Sequence, residues 1–141
     1  MKLKQLNIFG EEDEVDLPPT LNELYEFARQ KAKELWNREF DISIVLYKRK
    51  WRRRLAAYCV YLDGSQKPFI KMSQIVNQSR TRKEIFDILL HEMVHWHLHT
   101  TGQPFSDGDQ NFVAECLKVG APISEVQKAQ KALKKFKETK E

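Results

Sequence analysis

The tightest constraint on this chain is the segment His91-Glu92-Met93-Val94-His95, set inside a stretch that reads as one helix. Thr81-Arg-Lys-Glu84 forms a capping box, in which the hydroxyl and the carboxylate satisfy orphan backbone donors at a helix start. Ile85, Phe86, Ile88 and Leu89 then carry the helix forward into the histidines, and Gly102 with Pro104 ends it. Histidines four apart on a helix share a face with Cβ atoms about 5–6 Å apart, so both imidazoles can reach one tetrahedral Zn²⁺. Glu92 projects about 100° round the helix, where its carboxylate can take a proton from water without being a ligand. The plain alternative is two helix histidines engaged in hydrogen bonds. The glutamate between them, the apolar run before them and the cap together favour the metal site.

A hydrolytic site keeps one position open and needs a third protein ligand. No histidine follows His99, so the candidates are Asp107, Asp109 and Glu115. Asp109 also reads as the N-cap of the next helix, and Glu115, which has the longer reach twenty residues after His95, as a solvated carboxylate or one that supports a ligand. His97 and His99 read as supporting or surface groups, because three histidines on one helix cannot all point at one ion. Cys59 and Cys116 stand singly and read as reduced core thiols.

The remaining punctuation predicts a small α+β domain. Residues 1–19 form a peripheral segment containing the acidic run 11–16 and Pro18-Pro19. Thr20-Leu-Asn-Glu23 is a second capping box, followed by Leu21, Leu24, Ala28, Ala32 and Leu35 at helical spacing. Residues 42–47 and 55–62 read as two strands joined by a basic loop, and residues 69–72 as a third. A helix near Asp109 stops at Gly120-Ala-Pro122, and a last helix from Ser124, capped with Gln127, forms a basic C-terminal unit over 124–141. The core is thus 20–123, with about three strands in an antiparallel or mixed sheet and three to four helices.

Charge points to a polyanion. The net charge is only +4, yet Lys48-Arg49-Lys50-Trp51-Arg52-Arg53-Arg54 sets six cations around one tryptophan, and the last helix adds a lysine series. The loop can neutralise phosphates while Trp51 stacks on an exposed base, which fits single-stranded or non-specific DNA. No apolar run approaches the about 20 residues that span a bilayer, and the start lacks signal-peptide character. The expected setting is the cytoplasm, at the nucleoid if DNA is bound, with a monomer favoured.

Taken in order, Ile70-Lys-Met-Ser73, Leu89-Leu-His-Glu-Met-Val-His95-Trp and Asp107-Gly-Asp-Gln-Asn-Phe112 resemble the SprT-like zinc metallopeptidase family, in its small bacterial or phage-type form with a Spartan-like protease core. The basic loop followed by Ala56-Ala57-Tyr58-Cys59 fits the same pattern. The resemblance spans about residues 20–125. It implies a minimal zincin-like fold, zinc-dependent peptidase activity near DNA, and a cleft edged by the strand carrying Phe69 and Met72. Where the family supplies a third histidine, this chain offers Asp107, and a Lys-rich helix stands in place of the Cys-rich zinc ribbon of many relatives. The functional expectation is therefore a zinc metalloendopeptidase acting on DNA-associated proteins, with Glu92 as general base and His91, His95 and Asp107 on one Zn²⁺. The rivals are a non-enzymatic zinc-containing DNA-binding module and a regulatory peptidase that cleaves a repressor protein.

Overall fold

A computed structural model describes residues 2–6, 12–48, 55–74 and 78–139, with the backbone alone over 2–6 and 12–16. Strands β1 (Lys2–Leu6) and β2 (Glu12–Asp16) pair antiparallel, so part of the peripheral segment is a hairpin. Helix α1 (Leu21–Trp36) begins at the expected capping box, with both reciprocal bonds at 3.1 Å. It buries Leu24, Ala28 and Ala32, whereas Leu21 at its open end is exposed. Asn37, at φ 53°, closes it in the left-handed conformation that asparagine tolerates.

Three strands follow: β3 (Ser43–Tyr47), β4 (Ala56–Cys59) and β5 (Phe69–Ser73). The sheet order is β3-β5-β4, with β5 parallel to β3 and antiparallel to β4. The expected small mixed sheet is present, but the strands flanking the basic loop are not neighbours; β5 lies between them. This also corrects the strand at the cleft. Phe69 and Met72 lie on the central strand, with Met72 buried, and the edge beside the site is β4. Ile44, Ile70 and Met72 point into the core while Val45 faces out, the two-residue alternation of a sheet covered on one face.

Helix α2 (Arg82–Thr100) opens at the second capping box, Thr81 with Glu84. Ile85 is buried, and from Leu89 onward so are Leu90, Glu92, Met93, Val94, His95, Trp96 and Leu98. Burial on nearly all sides marks a helix running through the core rather than over it. The sheet and α1 cover one side. Helix α3 (Gln110–Val119), with Phe112, Val113 and Cys116 buried, covers another. Gly120, at φ 78°, stops α3 as expected. Helix α4 (Gln127–Thr139) packs on α3 through Ala129 and Ala132. It starts at Gln127 rather than Ser124. The Ser124 hydroxyl is spent on the Val126 N–H two residues on, so the expected capping pair does not form.

Arg82 ties the two capped helix starts together: it donates to the Glu23 carboxylate and, at 2.9 Å, to the Leu17 carbonyl. The Arg82 guanidinium, with the Thr20 N–H, holds the Glu23 carboxyl down at about 2. A depressed carboxyl stabilises the fold above its unfolded value and loses that contribution as pH falls through the folded one. Denaturant midpoints measured from pH 5 down to pH 2.5 should therefore fall less steeply in Glu23→Gln than in the parent. Thr81→Ala should cost about 1 kcal/mol, read from the same titration at neutral pH.

Candidate metal centre

Helix α2 presents His91 and His95 side by side, ring centroids 5.1 Å apart. Each ring is fixed from behind by a backbone carbonyl. His91 Nδ1 lies 2.6 Å from the Pro122 oxygen, and His95 Nδ1 lies 2.5 Å from the Phe105 oxygen. A carbonyl only accepts, so both Nδ1 atoms carry the proton and both Nε2 atoms point forward. What they meet is Asp107: its Oδ1 is 3.2 Å from His91 Nε2 and 3.3 Å from His95 Nε2. Around a tetrahedral ion with ligand bonds of about 2.0–2.1 Å, neighbouring donors stand about 3.3 Å apart. Both distances to Asp107 match an edge of such a site.

Glu92 completes the group, since His91, Glu92 and His95 each offer a ligand atom within 4.8 Å of the others. This set could hold a metal ion. Two imidazole nitrogens and a carboxylate oxygen converging with their lone pairs forward repel one another unless a cation lies between them, so the donor chemistry fits a divalent ion. The electrostatics agree. Burial works against a charge on His91, yet the Asp107 carboxylate outweighs it, helped by Cys116, Glu92 and the Pro122 carbonyl, and pushes the ring up to about 11. Asp107 is raised by burial but drawn far below the ordinary carboxylate range by the two histidines.

Glu92 is 7% exposed, and burial pushes its carboxyl up against the pull of both histidines. The backbone of Tyr58 on β4 and the two histidines act the other way, favouring the charged form. Phe112 stacks on the His95 ring at 4.0 Å, and Tyr58 and Phe105 close the far side.

The other sequence candidates fall elsewhere. Glu115 accepts from Trp36 Nε1 at 2.7 Å, a bond between α3 and the end of α1. Asp109 stands at the N-cap position of α3, but its carboxylate takes the Ser106 N–H at 2.9 Å. His97 faces away from the site, stacked on Trp36 at 4.5 Å and 3.0 Å from Arg38 Nη1. His99 lies 2.7 Å from the Tyr58 hydroxyl. Neither is among the converging donors. Cys116 is fully buried as expected, whereas Cys59 is half-buried. Of the basic run, Lys48 is exposed and Arg49, Lys50, Trp51, Arg52, Arg53 and Arg54 lie outside the described residues. Sequence reasoning overlooked Tyr58 and the two carbonyls. Tyr58 stands in the Ala-Ala-Tyr-Cys strand, but carbonyls carry no sequence signal.

The SprT-like family model matches residues 22–132, most of the chain and all of the site. The chain belongs to the SprT-like family. That membership suggests a metallopeptidase-like domain, and the His91-Glu92-His95 group could form its metal site. No solved structure matches the chain.

Metal content separates the candidate ligands. His91→Ala and Asp107→Ala should each lose metal by more than the roughly 10–100-fold that removal of an outer hydrogen-bond partner costs. Glu115→Ala and Asp109→Ala should retain it. Elemental analysis after dialysis reads the difference, and equal retention in Asp107→Ala would remove it from the ligand set.

Proposed function

We propose that this SprT-like chain is a zinc-dependent endopeptidase that acts on DNA-associated proteins. The observation that carries the reading is the convergence of His91 Nε2, His95 Nε2 and Asp107 Oδ1 beside a buried carboxylate, Glu92. Imidazole and carboxylate donors in that number suit Zn²⁺, whose remaining position is left for water or substrate. When bound, the ion supplies Lewis acidity, lowering the pKa of water towards neutrality and polarising the carbonyl under attack.

The chain's own residues supply the rest. Glu92 Oε accepts a proton from the attacking water and returns it to the departing amine. Its burial raises its proton affinity towards the working pH. The Pro122 and Phe105 carbonyls hold the imidazoles in one tautomer. The Phe112 ring against His95 keeps the inner wall dry, which strengthens every charge interaction there.

The DNA part of the reading is supported by Lys48–Arg54, six cations around Trp51. Lysines and arginines in such a run bind phosphates without regard to base sequence, and the tryptophan adds stacking on single strands.

Glu92→Gln should keep metal and fold while abolishing cleavage of a DNA-bound protein, because the amide cannot accept the proton. Cleavage at the parental rate would exclude Glu92 as the base. Alanine at Lys50, Arg52, Arg53 and Arg54 should flatten the salt dependence of single-strand binding by about 0.7 per lost phosphate contact. Trp51→Ala should weaken that binding by about 1–3 kcal/mol with the slope kept. An absence of DNA binding by the parent at low salt would leave a peptidase of free proteins.

A further inference from the structure

Helix α4 carries charge that the basic loop does not account for. It holds Lys128, Lys131, Lys134, Lys135 and Lys137 against Glu138, a surplus of four. The whole chain's formal charge is +4, so everything outside this helix, basic loop included, sums to zero. All five lysines are exposed, and among the described residues none pairs with a carboxylate within 4.0 Å. Packing explains why they face outward. Ala129 and Ala132 are buried against α3, which turns the lysine face of α4 to solvent.

The helix is also fixed next to the metal centre. The methylenes of Lys128 lie 3.3–3.4 Å from where a Cβ on Gly108 would stand, so its stem rests on the residue after Asp107. Gln110 Nε2 donates to the Ala132 carbonyl at 2.8 Å, joining the first turn of α3 to the middle of α4. Lys128, Lys131 and Lys135 line one side of α4 over about 10 Å, the reach of about three phosphates along one duplex strand.

We propose that α4 is a phosphate-backbone contact that seats nucleic acid, without base readout, beside the metal centre. A nucleic acid fits better than an anionic membrane surface. An interfacial helix must bury an apolar face in lipid, and the small apolar residues of α4 are already committed to α3. A strand lying on Lys128 passes next to Asp107, so a protein held on that strand is presented at the site. The inference deepens the nucleic-acid part of the proposed function and is independent of the peptidase chemistry, because its readout is binding alone.

The test uses the full chain, labelled duplex and single-stranded DNA, and fluorescence anisotropy between about 50 and 200 mM salt. Replacing Lys128, Lys131, Lys134 and Lys135 by glutamine should reduce the slope of log K against log salt by about 2–3 on duplex and weaken low-salt binding at least about tenfold. Arginine at the same four positions should restore both, because charge and not packing is at issue. The pair Lys131→Gln and Lys135→Gln, which leaves the Gly108 contact alone, should lower the slope by about 1–2. Parental affinity and slope in the glutamine variant, with binding lost in the basic-loop variant, would overturn the α4 contact and leave the DNA reading standing. A parent that binds anionic vesicles but not DNA would overturn it in favour of a membrane. A parent that binds neither would overturn it together with the DNA part of the proposed function.

Discussion

Two hydrogen bonds from imidazole Nδ1 atoms to backbone carbonyls set the character of this molecule. Neither Pro122 nor Phe105 offers a side chain to the chemistry; each offers the oxygen of its peptide. Those oxygens can only accept, so they fix the protons of His91 and His95 on the rear nitrogen and free the front one. The two carbonyls come from opposite ends of the segment that contains α3. That helix must therefore dock on α2 before the site exists, and the stacking of Phe112 on His95 belongs to the same docking. Burial of Phe112 and Cys116 in the same core as α2 drives the contact. The site is thus a product of core packing.

The helix carrying the histidines must itself be held on several sides. Arg82 secures its first turn to α1 through Glu23 and to the preceding chain through the Leu17 carbonyl. Its last turns are clasped by the end of α1 and the segment after it. Trp36 stacks on His97, the Arg38 guanidinium lies 4.1 Å over the Trp96 ring, and Trp96 Nε1 reaches the Asp41 carboxylate at 3.3 Å. His97 and Glu115 belong to this clasp, which explains why a histidine and a carboxylate with plausible ligand spacing face away from the site. Burial and the Arg38 charge keep the His97 ring proton-poor, as suits a stacking and accepting role.

Local chemistry was legible in the sequence and long-range choice was not. Both capping boxes, the glycine stop of α3 and the shared face of His91 and His95 are decided within a turn or two of chain, and each formed as read. The sheet order was hidden because a parallel pairing of β3 with β5 depends on which edges the helices leave open. Of the three acidic candidates, Asp107 meets the histidines because Trp36 takes Glu115 and the Ser106 N–H takes Asp109. Both are competitions with a partner that spacing alone does not rank. Ser124 was misread for a similar reason: its hydroxyl had a nearer donor in Val126 than the helix start it was expected to cap.

The aspartate at position 107 has a consequence for the charge of the site. Two neutral imidazoles and one carboxylate leave a bound divalent ion with a formal surplus of one, and Glu92 within 4.8 Å of the histidines cancels it. Three histidines would leave a surplus of two before Glu92 and one after it. In a pocket where Glu92 is 7% exposed and His95 8%, an uncancelled charge is expensive, since solvent screens it poorly. The aspartate therefore lets this small domain bury its site more fully than three histidines would. In the proposed reaction the opposing effect would be a weaker pull on water, because carboxylate charge offsets part of the Lewis acidity. Against that, burial raises the proton affinity of Glu92, the base in the proposed reaction. In the proposed hydrolysis, weaker acidification of water and a stronger base would work in opposite directions on the same proton transfer, which couples the charge at Asp107 to the burial of Glu92.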